Sequence, residues 1–184
     1  DLISEFFSTA GLVLAHKSVP SDSKDGLIDG EQLRLLLEPK FMPEGSFKVS
    51  AYDESPVEEA GQDLGDTLYD IYQLRRKQWP SDIANQVERE IALQTIDQNW
   101  TKQIDTMARL REGIHLRSYG NVNPLQDYVN EGQQLFRECL ENISLDAAFK
   151  FLNVVVQIRK PVEANNSQKP NNENATDVDS KDKE

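Results

Sequence analysis

Two rows of apolar side chains, parted by a short polar turn, constrain the fold of this chain more than any other feature. Before the turn, Ile83, Val87, Ile91, Ile96, Trp100, Ile104, Met107, Leu110 and Ile114 follow one another in steps of three and four with one of five. That is the spacing of one face of an α-helix. After the turn, Tyr128, Leu135, Phe136, Leu140, Ile143, Ala147, Phe151, Val155 and Ile158 resume the pattern. Two such faces on a short connection bury each other as an antiparallel hairpin. The pattern therefore predicts an all-α protein built on a long antiparallel two-helix hairpin. Helices of roughly 35 residues each would make a rod about 50 Å long.

The residues of the turn agree. Gly120 and Asn121 tolerate the left-handed conformation that closes a helix. Asn123 suits an N-cap, Pro124 suits the first helical turn, and Gln126 stands where a capping-box partner belongs.

The chain before the hairpin reads as a smaller helical unit. Leu2 to Lys17 has the apolar spacing of an amphipathic helix, weakened by Gly11. Val19 to Gly26 is a loop by composition. Its aspartates resemble a calcium loop, but Ser21 or Leu27 falls where a carboxylate ligand belongs, so a surface loop is expected. Asp29 or Gly30 caps a short helix over 31–37, which Pro39 ends. The alternation in Phe47-Lys-Val-Ser-Ala-Tyr52 predicts an extended piece. A further helix runs from about Pro56 to Gln78, with Leu64, Leu68, Ile71, Tyr72 and Leu74 on its apolar side. Trp79-Pro80-Ser81 then breaks the chain, because Pro80 disfavours helix at Trp79 and Ser81 can cap the first hairpin helix. The expected division is a helical domain over 1–79, the hairpin over 80–160 and a disordered tail over 161–184. The second hairpin helix should end near Lys160-Pro161, since the polar residues beyond it cannot offset the entropy of ordering.

Composition narrows the function. A formal net charge of −12 over 184 residues repels phosphate backbones and argues against a nucleic-acid partner. Cys139 is the one cysteine, so an internal disulfide or cysteine-based zinc site is excluded and a packed core thiol is expected. No apolar run reaches the length of a membrane span. No basic start resembling a signal peptide opens the chain, and the missing initiator methionine suggests a piece of a longer protein. The sequence contains no G-x-x-x-x-G-K-[ST] phosphate loop. His16 and His115 lack the spacing of a metal or catalytic set, so no catalytic residue, cofactor or metal is expected in this chain. Asp97, Asp105 and Glu112, interleaved with Arg109, Arg111 and Arg117, read as ion pairs on a solvated face.

The run Leu110-Arg-Glu-Gly-Ile-His-Leu-Arg-Ser-Tyr119 follows Trp100 and precedes Pro124, Tyr128, Glu131 and Phe136. It resembles the C-terminal helical scaffold segment of SecA preprotein-translocase motors, where the pattern is close to L-R-x-G-I-H-L-R-x-Y, a short loop, then P-x-x-x-Y-x-x-E. The match is gap-free from about Ala92 to Phe136. It departs from the family at Gln103 and Ala108-Arg109, leaving a housekeeping or an accessory SecA open. The resemblance implies a helical wing domain over 1–79 and a two-helix finger over the hairpin. The finger tip, Ser118, Tyr119, Gly120, Asn121, Val122 and Asn123, would meet a SecY-type channel complex and the unfolded preprotein, with Tyr119 the main contact. Arg111 and Arg117 would touch the remainder of the SecA motor, while Trp100 and Pro124 would be structural. The same resemblance implies ATP and magnesium in the parent ATPase, regulation of that ATPase by this region, and a cytoplasmic location peripheral to the inner face of the cell membrane. A free-standing helical hairpin or coiled-coil adaptor for a partner protein is the alternative that the residues alone allow.

Overall fold

A computed structural model describes residues 1–23, 25–117 and 123–156, without the side chains of residues 115–117. Five α-helices carry these residues: α1 (Leu2–Lys17), α2 (Gly30–Leu37), α3 (Val57–Arg76), α4 (Ser81–Arg117) and α5 (Pro124–Asn153). No strand occurs among the described residues, so the fold is all-α as the periodicity predicts.

Helices α1 and α3 approach closely because both are thinned by glycine. A Cβ on Gly11 would lie 2.3 Å from the Gly61 carbonyl oxygen and 2.5 Å from the Gly65 nitrogen. The glycine that weakens α1 in isolation is thus what lets it touch α3 backbone to backbone. Around this contact, Phe7, Tyr72 and Phe151 bring α1, α3 and the end of α5 together, with ring centres 5.3 to 6.2 Å apart. All three rings are fully buried.

Helix α2 starts as expected: the Asp29 carboxylate accepts from the backbone N–H groups of Glu31 and Gln32. After it, Glu38 holds the loop. Its carboxylate accepts from Arg34 at 2.9 Å and from the Gly45 N–H at 2.9 Å. An antiparallel bridge between Leu27 and Pro56 closes the segment.

Three expectations need correction. Residues 47–52 do not form an extended piece; Val49–Ala51 is a 3-10 turn. No strand among the described residues is available to pair with the segment, and Phe47 and Tyr52 stack on one another at 5.3 Å, which the turn permits and alternation forbids. Helix α5 stops at Asn153, well before Lys160, because Val154 turns to φ −64°, ψ 134° at the start of a β-branched run that disfavours helix. Leu74 is exposed, on the solvent side of α3. The expected disordered tail, 161–184, lies outside the described residues.

The segment around Pro80 joins α3 to α4 through a cluster of polar groups. The buried Tyr72 hydroxyl donates to the Glu88 carboxylate at 2.6 Å, and Arg76 donates to the same carboxylate and to Asn85. Burial, followed by the bond to Glu88, pushes the Tyr72 phenol above its ordinary range. The other end of α5 is tied in as well: Arg75 donates to the Val154 carbonyl at 3.0 Å, and Asn153 donates to the Lys40 carbonyl at 2.9 Å.

Candidate functional site

Helices α4 and α5 pack antiparallel. Lys150 meets Thr95, Asp146 meets Asn99 and Gly132 lies against Met107, so residue numbers fall on one helix as they rise on the other. The pair extends beyond the main core. That core takes in Ala92 from α4 and Cys139 onward from α5, and no residue between Leu93 and Glu138 belongs to it.

Between Thr95 and Ile104 the face that α4 turns inward is not the apolar row, although the row is buried further along, at Leu110 and Ile114. Thr95 is fully buried, and Asn99 and Gln103 are 5% and 8% exposed. Ile96, Trp100 and Ile104, each one residue further along, are 36%, 47% and 58% exposed. The expectation that Trp100 lies buried on the stripe is therefore overturned. One residue on a helix is a rotation of about 100°, and that rotation puts polar groups in the seam and aromatic surface outside it.

Hydrogen bonds between the helices account for the polar seam. Lys150 donates to the Thr95 hydroxyl at 3.0 Å and to Gln98 at 2.9 Å; Asn99 donates to Asp146 at 2.9 Å. Cys139 packs beneath Asn99 as a buried thiol, as expected, and burial pushes its pKa up. It has the opposite character to a reactive thiolate.

Outside the seam, Trp100 and Phe136 meet edge to face at 6.3 Å. Around them opens a groove of about 490 Å³, lined also by Ile104, Met107, Tyr128 and Arg111. Phe136 and Leu140 on α5, expected to be inward, are instead 43% and 47% exposed and continue this surface. The ion pairs expected along α4 are absent among the described residues: Asp97, Asp105, Arg109, Arg111 and Glu112 form none with one another or with α5. Arg111 stands exposed at the edge of the apolar groove.

Of the tip residues, Ser118, Tyr119, Gly120, Asn121 and Val122 lie outside the described residues, as do the side chains of His115 and Arg117. Asn123 is the N-cap residue of α5, but its side chain makes no capping bond. The capping box is not formed, because Gln126 donates to Asn130 instead. Pro124 occupies the first turn of α5 as expected. No cluster of histidine, cysteine and carboxylates able to hold a metal occurs among the described residues.

The described chain is thus a helical scaffold with a projecting antiparallel pair and an uncovered aromatic face. Comparison with known families agrees with that class. The model of the SecA wing and scaffold domain matches residues 5–155, and the chain belongs to this family. It is a non-catalytic part of a SecA-type translocase, a component of protein transport. None of its described helices is long and apolar enough to cross a membrane.

Proposed function

We propose that α4 and α5 form the two-helix finger of a SecA motor. The connection between them contacts the SecY-type channel and the preprotein in transit, and the Trp100 face docks on the rest of the motor to regulate its ATPase. The observation that carries this reading is the inverted α4. A helix that keeps Ile96, Trp100 and Ile104 exposed while burying Asn99 and Gln103 has the middle of its apolar row reserved for a partner outside this chain. Arg111, exposed beside that row, offers the same partner a cation. The wing helices α1 to α3 are the platform from which the pair projects. ATP and magnesium belong to the nucleotide-binding part of the parent motor, and the protein works at the cytoplasmic face of the membrane.

The test separates tip from face in the full-length motor. Tyr119→Ala should cut translocation into SecY-containing vesicles and leave basal ATPase unchanged. Trp100→Ala should change basal ATPase even without channel or preprotein. Normal transport by the first and normal hydrolysis by the second would return the pair to the role of a plain helical adaptor.

A further inference from the structure

A second apolar hollow, of about 320 Å³, opens at the base, where α1, α2 and α5 converge. Leu14, Leu36 and Leu145 line it, and Phe41 meets Phe149 there edge to face at 6.2 Å. Phe149 is 40% exposed, so the hollow stands open. Lys17 and Lys40 lie on its rim, both exposed, and neither makes an ion pair among the described residues. Asp146 also reaches the wall, but its carboxylate accepts from Asn99. In a chain of formal net charge −12, an apolar hollow edged by two unpaired cations is complementary to an apolar side chain set between carboxylates.

We propose that the hollow is the docking site of residues 177–179 of this same chain, with Val178 in the hollow and Asp177 and Asp179 paired to Lys17 and Lys40. The chain leaves the described fold beside it. Asn153, the last residue of α5, donates to the Lys40 carbonyl at 2.9 Å and stands one turn from Phe149. The sequence beyond residue 156 selects the occupant. From Pro170 to Ser180 it has acids at Glu173, Asp177 and Asp179 and no lysine or arginine. Ile158 and Val162 are nearer apolar candidates, but Arg159 and Lys160 lie between them and would face two like charges.

Length permits the contact. The tether from residue 156 to Val178 has a root-mean-square span of about 25 Å, and a flexible tether of that size holds its end at an effective concentration on the order of a millimolar. A site with a dissociation constant in that range is therefore half-filled without any partner in solution. Docking fixes a few residues and asks no order of the polar sequence around them. Seated there, the segment bridges the wing helices to α5 and leaves the aromatic groove open, since Phe136 lies about 26 Å along α5 from Asn153. The inference does not rest on the finger reading.

Photocrosslinking tests it in the intact protein, with p-benzoylphenylalanine in place of Ser180 and the products mapped by mass spectrometry. The expected crosslinks fall within residues 36–41 and 145–149, with a yield independent of protein concentration. Lys17→Glu with Lys40→Glu should lower that yield at least fivefold, as should half-molar salt, which shortens the screening length to about 4 Å. Val178→Ser should lower it at least threefold. Because Val178 lies outside the described fold, its variant reads the docking even if the double reversal disturbs the helices. No crosslink to the hollow, crosslinks spread along the chain or gathered between Trp100 and Phe136, a yield that rises with protein concentration, or a yield that survives Val178→Ser overturns the proposal.

Discussion

The base of this molecule and its projecting helix pair bury opposite things. At the base, α1, α3 and the end of α5 close around aromatic rings and bare glycine backbone, with the polar groups at the edge. Along the middle of the pair, threonine, asparagine, glutamine, lysine and aspartate lie in or beside the seam, and Ile96, Trp100 and Ile104 lie outside. A packed apolar core makes a region stable and tolerates little change. A hydrogen-bonded polar seam contributes less to stability and more to the choice of pairing. The base is thus built to stay assembled by itself, while the pair is finished by something it touches.

The largest effect expected from breaking this contrast is at Gly11. Gly11→Leu drives a side chain into the backbone of α3 and should cost on the order of 5 kcal/mol, a large part of a small domain's stability. Chemical denaturation would show it as a loss of the folded baseline or a much lower midpoint. Next comes a matched pair of aromatic truncations. Phe151→Ala should destabilise by about 3–5 kcal/mol, as a fully buried ring does. Trp100→Ala, removing a ring about half in water, should cost about 1 kcal/mol. Equal losses in thermal melts would mean that the outer face is covered within this chain, and the contrast would fail.

The order of those truncations also shows how far the sequence could be read. Helix starts and stops were legible wherever a local group decides them: Asp29 before α2, Pro80 before α4, Pro124 at the head of α5. The all-α class and the family followed from spacing and from the run around Leu110 to Tyr119. The facing of α4 was not legible. An apolar row marks a surface that will be covered, and periodicity cannot tell whether α5 or an outside partner covers it. Asn99 and Gln103 sit one position from Trp100 and Ile104, so the pattern barely distinguishes the two faces. The segment 47–52 misled for a related reason: alternation needs a neighbouring strand to become one, and α2 and α3 supply none. The valines after Asn153 carried a usable signal, because a β-branched run beyond the last small buried residues favours extended backbone.

The smallest effect expected lies in the loop beside the base. Burial raises the Glu38 pKa, but its bonds from Arg34 and the Gly45 N–H lower it by more, so it sits below its ordinary 4.5. A carboxylate with a lowered folded-state pKa stabilises the fold above that ordinary value, and the contribution disappears as pH falls through the folded value. Thermal midpoints of the native protein should therefore fall more steeply below pH 4.5 than those of Glu38→Gln. Parallel acid limbs would show that the loop is held by its apolar contacts instead.

The clamp of Glu88 by Tyr72 and Arg76 sits within the first two turns of a helix 37 residues long. Mechanically that is a fulcrum close to one end of a stiff beam. A tilt of about 5° there carries the far end of the beam, about 44 Å away, through roughly 4 Å, using the helical rise to set the length. A change at the clamp no larger than the making or breaking of one hydrogen bond is thereby geared into a displacement longer than one residue of extended chain, and the same gearing returns a load on the far end to the clamp as torque.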